Sequence, residues 1–323
     1  MIKIEKLHLK NYRNFRNTTI EFCEHITCMS GLNGSGKTSI LDALSNILQS
    51  SNIGTEDSIE LKVLADDENF TLQITSDVEK NYIENKSFID YKSAHNFVFS
   101  YYDINRLTFK KYENINYRAI IEDTKLNVIR NVLSALITNF DSSQDLSFLS
   151  DGEKSVVFLF CDIAQQLMMA NKLLENPLIG NGIILIDEIE LHMHPSWQRK
   201  ICHLLIKTFP NCQFVITTHS PQILGELKPN EILLLNNFKV YHPDSSFGLS
   251  SNQILDELMD ILDEDYSLSR NSMIAKKLDQ LNKAMELNKF SDAKKIINEI
   301  KNIVGQNLHE TEASKIALEM MEK

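Results

Sequence analysis

Glycine and proline are scarce in this chain of 323 residues: ten Gly, three of them crowded between Gly31 and Gly36, and six Pro, none before Pro177. The first half must therefore take its chain breaks from Asn, Asp and Ser clusters. Five Cys, an odd number with no C-x-x-C pair, support neither a disulfide framework nor a zinc ribbon, and they fit a reducing, cytoplasmic setting. Long apolar runs are missing: Val156 to Phe160 and Ile183 to Ile186 fall far short of the roughly 20 residues that span a bilayer, so no membrane partner is expected. The opening Met-Ile-Lys-Ile-Glu-Lys has no signal-peptide core. Positive charge is in deficit, 33 Lys and Arg against 44 Asp and Glu, which argues against a protein that coats DNA. The 43% hydrophobic and 24% charged residues rule out wholesale disorder and leave a large α/β domain with an appendage, or two domains.

Periodicity divides the chain. Alternating apolar residues (Ile2, Ile4, Leu7, Leu9, then Ile20, Phe22, Ile26) predict two or three strands, and Ile40, Leu41, Leu44 and Leu48 predict a helix over 38–48. Residues 59–64 and 70–74 read as a hairpin, 96–101 as a short strand, 126–140 as a helix and 152–169 as an amphipathic helix. Ile183 to Ile186 and Phe214 to Ile216 have the look of buried parallel strands, joined by a crossover helix over 197–207. After about Pro243 the pattern turns helical, over 254–262, 272–287, 291–304 and 310–321, with Asn288 and Gly305 as breaks and a helical hairpin around Ala284 and Ala293. The expected division is a head over 1–242, with a helical insert lobe near 75–150, and an all-helical tail over 243–323 for assembly or partner binding.

Gly31-Leu-Asn33-Gly34-Ser35-Gly36-Lys37-Thr38 satisfies G-x-x-x-x-G-K-[ST] in full, after a predicted strand and before a predicted helix. Glycines let successive backbone N–H groups turn inward as an anion nest. Lys37 supplies positive charge near β- and γ-phosphates, Thr38 offers a hydroxyl to Mg2+, and the following helix, with Ser39 in its first turn, directs its positive end at the nucleotide. The strand ending Ile186-Asp187-Glu188 presents two carboxylates where ligands of open α/β sheets bind. Asp187 is expected to hold Mg2+, and Glu188 to orient or deprotonate an attacking water. Thr218-His219-Ser220 ends the next strand, and His219 reads as a γ-phosphate sensor or, alternatively, as an ordinary loop histidine.

Together these residues resemble the ABC-type branch of P-loop ATPases that contains RecF and SMC proteins. Leu149-Ser150-Asp151-Gly152-Glu153-Lys154 is similar to that branch's signature, usually Leu-Ser-Gly-Gly-Gln. The resemblance implies a mixed sheet flanked by helices, with antiparallel β elements and a helical lobe, and cofactors ATP and Mg2+. It also implies a homodimer or higher oligomer in which Ser150 and Gly152 cap the partner's nucleotide in trans. Read locally, Ser150 is equally a helix N-cap with Glu153 completing a capping box. Asp187-Glu-Ile-Glu-Leu-His-Met-His-Pro-Ser-Trp-Gln-Arg199 and the Thr217-to-Leu224 stretch look like the small AAA-class ATPases of bacterial overcoming-lysogenization-defect, Septu and retron-associated anti-phage systems. Leu9-Lys-Asn-Tyr-Arg13-Asn-Phe15 is similar to that group's first strand and turn, whose basic residue, here Arg13, approaches the nucleotide.

The chain departs from these patterns in places. Asp151 replaces a signature glycine and adds negative charge near a trans phosphate. No Gln-bearing loop follows the strand near Tyr101; Tyr102 to Arg106 takes that place, with Arg106 as a substitute. The stretch between Thr38 and Ser150 is too short for a long SMC arm and lacks heptads. No acidic TOPRIM-like nuclease domain follows His219, so any DNA cutting is expected from a separate, HNH-type nuclease subunit that this ATPase controls. Arg106, Lys110, Lys111 and Arg118, interleaved with Tyr101, Tyr102, Tyr112 and Tyr117, are the candidate contact for DNA or a retron RNA/DNA; a solvated lobe surface is the plainer reading. His192 and His194, near Glu190, could suggest a metal site, but their alternate spacing speaks against it and the resemblance implies packing or dimer-contact residues. Two other functions stand open: a RecF-like DNA-repair ATPase on duplex DNA, and a nucleotide-gated binding module with little turnover.

Overall fold

The alternation at the start of the chain changes parity, and the structure shows why. In the computed structural model, which describes residues 2–49, 58–65, 68–74, 88, 96–104, 117–123, 126–137, 140, 148–255, 258, 272–287, 289–304 and 309–321, the first strand, β1, spans Ile2–Tyr12. Ile2 and Ile4 point inward, then Leu7 and Leu9, because a bulge between Ile4 and Lys6 inserts the extra residue that flips the inward set. β2 (Phe15–Glu21) folds back on β1 with Leu7 opposite Ile20. The predicted hairpin forms as β4 (Ser58–Ala65) and β5 (Glu68–Ile74), giving an antiparallel sheet of order β2-β1-β4-β5.

The second sheet has order β10-β9-β3-β8-β7-β6 and is parallel except for β10 against β9. Its strands are β3 (Ile26–Gly31), β6 (Val98–Tyr102), β7 (Gly182–Ile186), β8 (Cys212–Thr217), β9 (Ile232–Asn236) and β10 (Lys239–Tyr241). Every residue of β3, β7 and β8 is buried, as expected of strands covered on both faces, with Thr27, Ser30, Gln213 and Thr217 the polar exceptions among apolar neighbours. The sheet is thus the mixed one expected, with antiparallel elements beside it. β9 and β10 have no counterpart in the sequence reading. Ile232-Leu-Leu-Leu235 is a run whose length and Leu content suit helix and strand alike.

Helix α1 (Lys37–Leu48) turns Ile40, Leu41, Leu44, Ile47 and Leu48 into one core with residues of both sheets. The two sheets are also joined by a side chain. Fully buried Gln213 of β8 accepts from Ile4 N–H at 2.7 Å and donates to Ile4 O at 2.9 Å and Cys23 O at 2.7 Å, beside the β1 bulge. One amide thereby satisfies backbone groups that no strand neighbour reaches.

The helices that follow are α2 (Tyr117–Glu122), α3 (Asn127–Leu136), α4 (Asp151–Ala170), the crossover helix α5 (Pro195–Thr208), and the short α6 (Pro221–Leu224) and α7 (Ser251–Ile254). α3 is shorter than the expected 126–140, ending where Ile137 becomes extended. α4 packs against β6, where the Tyr102 hydroxyl donates to Asp162 at 2.6 Å and Gln166 donates to Asp162 at 2.8 Å.

The chain divides into two compact units, Met1–Ile254 and Leu255–Lys323, so residues 243–254 belong with the first. Within the second, α8 (Ser272–Glu286), α9 (Phe290–Val304) and α10 (His309–Met321) gather Leu281, Ala284, Ala293, Ile297 and Leu318 into a core. Ala284 and Ala293 are the small residues expected at the α8–α9 hairpin, which a Lys277–Glu299 ion pair at 2.6 Å bridges. Asn288 and Gly305 lie outside the described residues, as does most of the helix expected over 254–262.

Candidate functional site

Three strand ends converge. β3, β8 and β7 are neighbours in that order, and each hands the chain to a turn at its carboxyl end: the glycine loop after β3, Thr218-His219 after β8, and Asp187-Glu188 after β7. A cavity of about 300 Å³ opens there. Its walls carry Asn33, Gly34, Gly36, Lys37, Thr38 and Ser39 from the loop and α1, Asp187 and Glu188 from the acidic turn, and His219.

The glycine loop is shaped by its backbone. Gly34 has φ 80° and Gly36 φ 108°, which side-chain-bearing residues rarely adopt. A Cβ on Gly36 would also lie 2.5 Å from the Phe15 ring, whereas the space around Gly34 is open. Gly36 leaves the first turn of α1 without a side-chain cap, and that turn holds no acid. The positive end of α1 is therefore bare toward the cavity. Gly31 and Ser35 sit behind the wall. Gly31 O accepts from the Lys37 ammonium at 2.8 Å, with Leu32 O at 3.0 Å, and the buried Ser35 hydroxyl has no hydrogen-bond partner among the described residues.

The acids are held by the sheet. Asp187 N–H donates to Tyr102 O at 2.8 Å, and the Thr38 hydroxyl donates to Asp187 Oδ2 at 3.1 Å across 149 residues of sequence. Thr217 completes the arrangement, donating its hydroxyl to Asp187 Oδ1 at 2.5 Å and accepting from Glu188 N–H at 2.7 Å. Glu188 has φ 47°, a left-handed conformation that costs a non-glycine residue energy and recurs where a side chain is aimed for function. Burial lowers the Lys37 pKa against the pull of Asp187, Glu188 and Glu190. Burial, then the Lys37 charge, lowers that of His219, which favours a neutral imidazole.

Other expected residues lie elsewhere. Arg13 does not line the cavity. Its guanidinium pairs with Asp42 at 2.8 Å and donates to Ser39 Oγ at 3.1 Å along α1, and its neighbour Asn14 reaches the wall instead. Ser150 and Gly152 line a second, open cleft of about 630 Å³ together with Glu153, His192, Met193 and Trp197. The capping box forms there: Ser150 Oγ accepts from Glu153 N–H, and the Glu153 carboxylate accepts from Ser150 N–H at 2.8 Å. Gly152 is buried so close to the chain that a Cβ would meet His192 O at 2.2 Å. Asp151 is three-quarters exposed, 3.8 Å from the Lys154 ammonium. His194 caps α5, its Nδ1 accepting from Ser196 N–H. Of the basic and aromatic stretch, Arg106, Lys110, Lys111 and Tyr112 and the Arg118 side chain lie outside the described residues. Tyr101 and Tyr102 bond inward to Asp42 and Asp162, and Tyr117 packs on Phe158 at 4.9 Å.

Sequence reasoning missed Thr217, Glu190 and Phe238. Thr217 and Glu190 belong to strings already singled out, and only the pairing of β7 with β8 brings Thr217 to Asp187 and Glu188, and Glu190 to Thr218 and His219. Phe238 lines the cavity and packs edge-on to Phe15 at 5.5 Å. It and Asn237 form the two-residue hairpin between β9 and β10 with φ of 60° and 48°, and the Asn was its only sequence signal.

Residues 3–237 match the family model described as RecF/RecN/SMC N terminal domain. The chain is 39% identical over 163 residues to a retron Ec83 probable ATPase of Escherichia coli, a match covering 50% of this chain and 30% of that protein. It is 46% identical over 112 residues to a retron Vc95 probable ATPase of Vibrio cholerae serotype O1 biovar El Tor, covering 33% and 22%. The matches thus span less than a third of either retron protein's length. The Septu protein PtuA of Bacillus thuringiensis is 23% identical over 305 residues, covering 73% of this chain and 76% of that one. Among solved structures, an SMC head bound to the C-winged helix domain of ScpA aligns with a TM-score of 0.47 at 15% identity, covering 74% of this chain and 97% of that one.

Proposed function

The chain belongs to the RecF/RecN/SMC N-terminal domain family, and on that premise we propose that it binds ATP with Mg2+ and hydrolyses it. The observation that carries this reading is the Thr38–Asp187 hydrogen bond, which joins the glycine loop to the acidic strand end with Glu188 and His219 on the same cavity wall. The donor set suits the metal: a hydroxyl and a carboxylate are hard oxygen ligands of the kind Mg2+ takes, few enough to leave the rest of its shell to phosphate and water. When bound, Mg2+ supplies charge neutralisation to the phosphates. The bare end of α1 and the Lys37 ammonium receive the phosphate charge. Glu188 accepts a proton from a water whose oxygen forms a bond to the γ-phosphorus as the bond to the ADP oxygen breaks. Neutral His219 donates to or orients the reacting group.

The wider assignment draws on the relatives' names and is part of the same proposal. The chain acts in the cytoplasm as the ATPase subunit of an anti-phage system, controlling a separate HNH-type nuclease that works on DNA or a retron RNA/DNA. Among the described residues no helix is long and apolar enough to cross a membrane. Exposed Ser150, with Phe148 76% exposed beside it, suits a surface that meets a second copy, with Gly152 behind it in trans.

Phosphate release and nucleotide binding test the core of the reading. Wild-type protein is expected to turn over ATP only with Mg2+, and Glu188→Gln to cut kcat by about 100-fold or more while ATP affinity stays within about threefold. Binding without turnover in the wild type would favour the gated-module reading. No calorimetric heat with ATP and Mg2+ would overturn both.

A further inference from the structure

Glu190 takes no part in the chemistry proposed above and does not line the cavity, yet its carboxylate is bound to the turn that carries His219. It sits in the turn after β7, half-buried, and both carboxylate oxygens are engaged. Oε1 accepts from the backbone N–H of His219 at 2.5 Å, and Oε2 accepts from the Thr218 hydroxyl at 2.8 Å. Both donors belong to the turn after β8. That turn is otherwise tied down on its far sides: Thr218 N–H donates to Met29 O of β3 at 3.0 Å, and the Ser220 hydroxyl donates to Gln198 of α5 at 2.7 Å. Ser220 N–H in turn donates to the Thr218 hydroxyl at 3.0 Å, so one oxygen passes the constraint from Glu190 to the start of α6.

An ionised acceptor holding two neutral donors is roughly twice as strong as a neutral pair, and bidentate contact fixes direction as well as distance. We propose that Glu190 is a positioning residue: by clamping Thr218 and His219 together, its carboxylate sets where the His219 imidazole stands on the cavity wall. Glu190 acts through His219 and never touches nucleotide. The inference deepens the ATPase reading and rests on it for the role of His219, though not for the clamp itself. The charged groups facing His219 are Lys37 from α1 and Asp187, Glu188 and Glu190 from the turn after β7.

The test is Glu190→Gln in the full chain, an isosteric change that keeps one acceptor and removes the charge and the second. Imidazole 1H–15N spectra of nucleotide-free wild type and variant are compared first. The His219 resonances are expected to shift or broaden, while His8 and His242, hydrogen-bonded elsewhere, stay put. Steady-state kinetics then should show kcat lower by on the order of 10- to 100-fold with KM within about threefold, the signature of a misplaced group rather than lost binding. In a His219→Ala background, Glu190→Gln should cost less than about twofold further. Thr218→Val, which is nearly isosteric and removes one donor to Glu190 together with the acceptor of Ser220 N–H, should reproduce a smaller version of each effect and serves where Glu190→Gln does not fold. Unmoved His219 resonances, or a loss of kcat as large in the His219→Ala background as in the wild type, would overturn the proposal. If the wild type shows no turnover, the ATPase reading fails, and the spectra alone still decide whether Glu190 holds His219.

Discussion

Two turns in this molecule look alike on paper, each a Ser and a Gly followed by a Lys at the mouth of a helix, and they are electrostatic opposites. At the glycine loop, α1 begins after Gly36 with no side-chain cap and no acid in its first turn. At Ser150, α4 begins with a complete capping box and with Asp151 and Glu153 in its first turn. The first helix leaves its positive end to whatever anion enters the cavity; the second has already answered its own. A glycine at the mouth of a helix therefore says little alone. What matters is whether neighbouring side chains spend the helix terminus internally.

The largest expected break between the two turns is in nucleotide affinity. Lys37→Ala should weaken ATP binding by about 100-fold, the loss of charge-assisted hydrogen bonds worth roughly 3 kcal/mol, whereas Ser150→Ala should leave the affinity of a single chain within about twofold. Calorimetry on both variants decides this, and equal losses would dissolve the contrast. Next come the two glycines, which the structure makes alike. Gly36→Ala meets the Phe15 ring and an unfavourable φ, and Gly152→Ala meets His192 O, so each should destabilise by roughly 1–3 kcal/mol in denaturant unfolding. Only Gly36→Ala should also lower nucleotide affinity. Ser150→Ala alone should cost about 1 kcal/mol through the lost cap.

The smallest effect sharpens the first site. His219 has a pKa lowered from 6.5 by burial and by Lys37. As pH falls through 6.5 toward that lower value, the unfolded chain takes up a proton that the folded chain refuses, so stability declines over that window and levels off below it. His219→Gln should flatten this decline in urea midpoints measured from pH 7 downward, and an unchanged slope would count against the buried setting of His219.

Legibility in the sequence followed locality. The glycine loop could be read because phosphate chemistry dictates residue types in one continuous string, and Asp187, Glu188 and His219 because each ends an apolar run. The capping box at Ser150 is local too. Thr217 matters through Glu188 and Asp187, and Glu190 through His219 and Thr218, contacts between segments about 30 residues apart, and nothing in either string announces the other. Phe238 reaches the cavity only because β9 and β10 were built, and the Leu-rich β9 carries no clear period. Arg13 is the converse case: its segment was legible, but which side chain the segment presents was not, since the turn with left-handed Asn11 and Arg13 puts Asn14 on the wall and Arg13 against Asp42.

The middle position of β3 between β8 and β9 bears on how the chain is made. β3 is complete at Gly31, but both neighbours that hydrogen-bond it come from residues 212 to 236, and the Gln213 amide that stitches Ile4 in place lies 209 residues downstream. During synthesis at roughly 5–20 residues per second, these largely buried segments wait on the order of ten seconds or more for their partners. Such long-range closure is slow to nucleate and leaves strand edges unprotected while it does. Until β8 and β9 emerge, β3 has neither of its sheet neighbours, and fragments ending before β8 are expected to aggregate, which sedimentation of truncated chains would show.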